Sequence, residues 1–188
     1  MTQLGKPKLP EIESIRSSLK RILSKHRIKL IDAQSVVTGK DFLMKIWKLV
    51  LGVPLGIAII HREMPPQTLS NIFYELGMMH AYGKETLIIK TKGTRIPSDF
   101  VRTEYIEANS GFEKKLAGFL ETFKGLSDYY ESVSDQLENN PLLAIDYLRR
   151  AYLISENNAL RIKARDIFQN AGLKGRAKNS VEMLLINF

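Results

Sequence analysis

Residues 55–90 read LGIAIIHREMPPQTLSNIFYELGMMHAYGKETLIIK, two short apolar runs separated by a segment long enough for a helix. Leu55-Gly56-Ile57-Ala58-Ile59-Ile60 is continuous in its apolarity, and Thr86-Leu87-Ile88-Ile89-Lys90 is a run of the same kind. A strand with one wet face alternates, whereas a strand covered on both faces does not, so each run predicts a buried strand of a parallel sheet. Between them, Met64-Pro65-Pro66-Gln67-Thr68 predicts a loop, Ser70 or Asn71 opens a helix to about Tyr82, and Gly83 ends it. Strand, helix and strand in this order form a crossover unit.

The pattern extends in both directions. Residues 1–10 hold two prolines and a glycine and predict an irregular entry. Ile12, Ile15, Leu19, Ile22 and Leu23 fall at helical spacing over Glu11 to Lys25. Ile28-Lys29-Leu30-Ile31-Asp32 predicts a strand, and Thr38-Gly39-Lys40-Asp41 a turn into a helix carrying Phe42, Ile46, Leu49 and Val50. Downstream, Gly93 to Ser98 predicts a loop, Val101 to Ile106 a weaker strand, and Gly111 to Lys124 a helix striped by Phe112, Leu116, Phe119, Leu120 and Phe123. The expected class is therefore α/β, a mostly parallel sheet flanked by helices over residues 11–125. After Gly125 the pattern turns wholly helical, with Leu126 to Leu137, Pro141 to Ser155 and Asn158 to Ala171 predicted as helices. Residues 126–188 form a helical extension suited to packing on the domain or on a protein partner.

Charge follows the same division. The 188 residues carry 28 Lys+Arg against 20 Asp+Glu, a net +8. Residues 1–125 hold 20 basic and 12 acidic residues; residues 126–188 hold 8 of each. The excess belongs to the α/β part, and the neutral extension favours protein contact over nucleic acid. No aromatic-interleaved basic stripe or recognition-helix pattern accompanies the basic N-terminal helix, so nucleic acid is not the expected partner. The absence of Cys removes disulfides and thiolate metal sites. The longest apolar stretch, Leu49 to Ile60, is interrupted by two glycines and a proline and is too short for a membrane span. No signal-like run follows Met1, so the expected location is cytoplasmic.

Familiar catalytic signatures are missing. Gly39-Lys40 is followed by Asp41 and lacks the upstream glycine of a phosphate-binding loop. His26, His61 and His80 are widely spaced, so no metal site is expected. Glu75 is the residue of interest, placed within the first turns of the central helix, with aromatic and apolar neighbours that would desolvate it and a helix N-terminus that would oppose the shift. An ordinary exposed helix glutamate fits the local pattern as well.

The run Asn71-Ile72-Phe73-Tyr74-Glu75-Leu76-Gly77-Met78-Met79-His80-Ala81-Tyr82-Gly83-Lys84, followed by a strand, resembles the nucleoside 2-deoxyribosyltransferase-like proteins, relatives of the Toll/interleukin-receptor (TIR) fold. Ile31-Asp32-Ala33, Lys40-Asp41-Phe42-Leu43 with Ile46, the strand through Ile60, and Ile96-Pro97-Ser98-Asp99-Phe100 fit the same order, so the resemblance covers roughly residues 14–124. It implies a flavodoxin-like sheet and chemistry at an N-glycosidic bond without a cofactor. Glu75 would then be nucleophile or electrostatic partner at the anomeric carbon, where departure of a base leaves an oxocarbenium-like sugar. Asn71 would cap the helix or touch the ribose, Tyr74 pack on a base or on the core, and His80 be either the family's recurrent helix histidine or a packing residue. Lys40, Arg62 and Lys84 could supply the positive field a phosphate needs. The chain departs from the family at two points: residues 1–10 make no clear first strand, and His61-Arg62-Glu63 stands where an acidic residue follows the strand. Two functions follow, an enzyme acting on a nucleoside, nucleotide or NAD, and a catalytically silent module of the same fold that senses a nucleotide or assembles with itself or another protein through the helical tail.

Overall fold

A computed structural model describes residues 9–31, 46, 49–100, 103–137 and 139–186, and the chain divides into two compact units, residues 1–118 and 119–188. In the first unit, α1 (Pro10–Lys25) precedes β1 (Leu55–Ile60), α2 (Pro66–Ala81), β2 (Glu85–Lys90), a short 3-10 turn (Ser98–Phe100) and β3 (Tyr105–Glu107). α3 (Phe112–Asp135) begins in the first unit and continues into the second, which adds α4 (Pro141–Ser155), α5 (Asn158–Asn170) and α6 (Gly175–Ile186). Parallel sheet and helices together make a mixed α/β chain.

The described sheet has three strands in sequence order, all parallel. Leu55 pairs with Glu85 and Ile60 with Lys90, while Ile88 pairs with Tyr105. Strand side chains alternate between faces, so this register puts Ala58, Ile60, Thr86 and Ile88 on one face and Ile57, Ile59, Leu87 and Ile89 on the other. Thr86 accepts or donates to His80 of α2 on the first face; His61, one step beyond β1 on the second face, meets Glu11 of α1. Helices thus cover both faces, the condition under which uninterrupted apolar strands are stable. Ile60, Leu87, Ile88 and Ile89 are fully buried.

α1 forms where its apolar spacing predicts: Ile12, Ile15, Leu19, Ile22 and Leu23 are all buried, with Pro10 at its start and Glu11 and Glu13 in its first turn. It ends with Arg27 at φ 57°, and the N–H groups of Arg27 and Ile28 close onto the carbonyls of Ser24 and Leu23. That closure diverts the chain, and Ile28 to Ile31 carry no strand; Leu30 and Ile31 are 45% and 42% exposed. The expected strand 28–32 is therefore not formed over its described part, because apolar composition alone does not supply a neighbour to pair with. Asp32 and the turn Thr38–Asp41 lie outside the described residues. Ile46 and residues 49–52 are helical as expected, and Ile46 and Val50 pack with Met78 and Met79.

Three further boundaries differ from expectation. α2 starts at Pro66, not at Ser70 or Asn71, because a proline is suited to the first helical position, where its missing N–H costs nothing. The last strand is Tyr105–Glu107, and Phe100 sits in a 3-10 turn. α3 runs unbroken through Gly125, which faces open space and costs the helix only its usual penalty of about 1 kcal/mol.

Among the described residues the second unit has no strand, and α4 and α5 form where the spacing predicts helices. Its core gathers Tyr130, Ile145, Leu148, Ala151, Leu160, Ala164 and Val181. Asn140 caps α4 by accepting from the Leu143 N–H, and Asn157 caps α5 by accepting from the Ala159 N–H. Between α3 and α4, the buried Ser127 and Ser134 hydroxyls donate to the Ala151 and Ala144 carbonyls at 3.1 and 3.0 Å. Among the described residues no helix is long and apolar enough to cross a membrane.

Candidate functional site

The central helix α2 descends from the carboxyl end of β1 to the amino end of β2. Ile72, Leu76 and Met79 form its buried stripe. Glu75 lies on one flank of that stripe and His80 on the other, about 140° apart at 3.6 residues per turn. Asn71, one turn before Glu75, shares its flank and is exposed, as is Tyr74 at 57%. Glu75 is half-buried, and burial pushes its carboxyl above the ordinary glutamate range. Among the described residues it makes no hydrogen bond or ion pair. It stands in the third turn of α2, not the first, because the helix begins at Pro66; the N-terminal dipole, which fades within a turn, therefore does little to oppose the desolvation. Asn71 is inside the helix and caps nothing.

The remaining candidates separate. His80 Nε2 lies 2.5 Å from the Thr86 hydroxyl, and its ring packs against Phe100, which also meets Phe73 at a tilt. Lys84 is 8% exposed and donates from Nζ to the Leu51 carbonyl at 3.3 Å. Both residues thus stand at the amino end of β2, one on the preceding helix and one just before the strand. Arg62 stands beyond the carboxyl end of β1, with a strand length of roughly 20 Å between the two levels. It is 65% exposed and pairs loosely with Glu63 at 3.7 Å. Lys40 lies outside the described residues. Glu75, Asn71 and Tyr74 share one outward flank of α2, and Arg62, His80 and Lys84 do not join them there.

The carboxyl end of the sheet holds groups that the sequence pattern did not single out. His61, buried, sits 3.1 Å from Glu11 through Nε2, while its Nδ1 accepts the Glu63 N–H at 3.0 Å. With Nδ1 accepting, Nε2 carries the proton and donates to the Glu11 carboxylate. The pair ties the turn after β1 to the start of α1. Beyond β2, Thr91 and Thr94 are buried with their hydroxyls 2.9 Å apart, and the Thr94 N–H closes onto the Thr91 carbonyl across Lys92 and Gly93. Gly93 takes φ 76°, the left-handed region open to glycine. A usable signal existed: a histidine and a threonine standing directly after apolar runs are polar groups placed where strands end and ligands bind in open α/β sheets. No group of three or more His, Cys, Asp or Glu residues placed to hold a metal occurs among the described residues. Comparison with known proteins returns no matching family model, no matching curated protein and no matching solved structure.

Proposed function

We propose that the α/β unit is a nucleotide- or nucleoside-binding domain of the flavodoxin-like, TIR-related kind that acts on an N-glycosidic bond of a nucleoside, nucleotide or NAD. The observation that carries this is the Glu75 carboxyl, half-buried on the helix between two parallel strands and pushed above its ordinary range by desolvation. The strand order agrees: three consecutive parallel strands in sequence order match the 3-4-5 side of a flavodoxin-like sheet. In the proposed reaction the base departs with the electron pair of the glycosidic bond and takes up, net, the proton released by the water that hydrolyses the bond. The ionised Glu75 either bonds to the anomeric carbon or holds the oxocarbenium by charge, and water then takes the sugar and restores the carboxylate. Raised basicity makes the ionised carboxylate a better nucleophile. Incubating the full chain with nucleosides, nucleotides and NAD, followed by chromatography for free base, tests this. Base release should fall at least about 10³-fold in Glu75→Gln; release at the wild-type rate in that variant, or no release from any substrate, would overturn it.

A second reading rests on a separate observation. His80 and Lys84 are bonded within the fold, which suits a silent module that binds a nucleotide and assembles with itself or a protein partner through the helical unit. That unit exposes Tyr129, Leu142, Leu143 and Ile162. Light scattering of the full chain with and without nucleotide checks it; a monomer under both conditions would count against it.

A further inference from the structure

We infer that the turns after β1 and β2 form a phosphate site, so that the ligand of this domain is a nucleoside phosphate and not a free nucleoside. The inference rests on the nucleotide-binding proposal and narrows its substrate class. The two turns leave adjacent parallel strands at the same level, since Ile60 pairs with Lys90 and the Thr91 N–H bonds to the Ile60 carbonyl. Each is fixed from below by buried side chains: the first by His61 holding both Glu11 and the Glu63 N–H, the second by the Thr91–Thr94 hydroxyl pair. Each presents cations to solvent, Arg62 from the first turn, Lys92 and Arg95 from the second.

The turns also approach each other. A methyl group built at Gly93 would lie 3.8 Å from Arg62 Nη1, so the guanidinium rests over the glycine backbone. Among the described residues the N–H groups of Lys92 and Gly93 find no protein acceptor. A guanidinium fork beside free backbone N–H groups on a pinned turn is the donor set a phosphate takes, with shape from the fork and charge from the lysine. Neither Glu63 nor Glu11 cancels it. Glu63 pairs with Arg62 only at 3.7 Å between two exposed side chains, an arrangement of little strength, and Glu11 is engaged by His61. Position fits as well. Glu75 lies nine residues into α2 from Pro66, roughly 14 Å down the helix axis, so carboxylate and cations are spaced for an elongated, phosphorylated ligand.

The test is calorimetry on the full chain with adenosine, guanosine, cytidine and uridine, their 5′-mono- and diphosphates, and tripolyphosphate. At least one phosphate ester should bind about tenfold or more tightly than its nucleoside, and Arg62→Gln combined with Lys92→Gln should bring that ratio close to one. Both substitutions are on exposed side chains, and circular dichroism confirms folding. Equal affinity for nucleoside and phosphate ester, or a ratio unmoved by the double variant, would overturn the phosphate site while leaving nucleotide binding intact. Tripolyphosphate binding that disappears in the double variant, with no nucleoside or nucleotide bound, would uphold the phosphate site and remove the nucleotide proposal. Binding of none of these probes would remove both.

Discussion

The two ends of the three-stranded sheet use their polar side chains in different ways. At the amino end Lys84 is buried against the Leu51 carbonyl and His80 is held to Thr86 and Phe100. At the carboxyl end the buried groups, His61, Thr91 and Thr94, hold their own turns and Glu11, and Lys90 reaches the Thr94 carbonyl and the Tyr105 ring, while Arg62, Lys92 and Arg95 remain exposed. Lys84 at one end and Lys90 at the other are held by the fold, but the carboxyl end in addition keeps Arg62, Lys92 and Arg95 in solvent. The difference teaches that a lysine or histidine near a conspicuous helix is not thereby a ligand-binding group, since its side-chain partners decide.

Four substitutions break or sharpen this contrast. The largest effect on stability belongs to Lys84→Met, which removes a buried donor and should lower the unfolding free energy by about 1–3 kcal/mol, whereas Arg62→Gln should change it by less than about 0.5 kcal/mol. Urea titrations of the two variants side by side measure this, and equal losses would erase the distinction between the ends. Next, Thr91→Val deprives the buried Thr94 hydroxyl of its partner and should cost about 1 kcal/mol. Amide exchange over residues 91–95 should quicken in that variant, and unchanged protection would show that the hydroxyl pair does not hold the turn. The smallest effect concerns Glu75. Its folded-state pKa is raised, so the folded state binds the proton more tightly than the unfolded chain. Stability from this group is fully present below the ordinary glutamate value of about 4.3 and declines as pH rises through the higher folded value. Glu75→Gln should therefore remove part of that decline and leave the neutral-pH protein equal or more stable by about 1 kcal/mol or less, since a half-exposed group is screened. A variant that is less stable at pH 7 would mean that Glu75 has a stabilising partner.

Much of the frame was legible because it rests on periodicity. The buried face of α1, the two continuous strands and the helical character of residues 126–171 all follow from spacing, and all are present. The strand expected at 28–32 was not legible, because strand formation needs a neighbour to pair with, and a short apolar run carries no record of one. The helix start at Pro66 was obscured by weighing two prolines as loop formers when the second was a first-turn residue. In the candidate site, Glu75 is half-buried on α2, while His80 and Lys84, named through the resemblance, stand at the amino end of β2 and away from its flank, which the helical wheel and the strand direction decide and the motif does not. Of the turn residues after β1 and β2, Arg62 was named through the resemblance, whereas Thr91, Lys92 and Thr94 escaped notice because their meaning depends on strand register, which brings residues thirty positions apart to one level.

The serine–alanine pairs in the helical unit carry their own consequence. Ser127 and Ser134 are one heptad apart, and so are their acceptors, Ala151 and Ala144, read in the reverse direction. Each small residue lets the backbones come close, and each hydroxyl marks one rung. Sliding α4 along α3 by a single residue would strand both hydroxyls at once and push larger neighbours into the gap. The hairpin therefore behaves as a keyed joint, which admits one alignment of its two rods and rejects the adjacent ones.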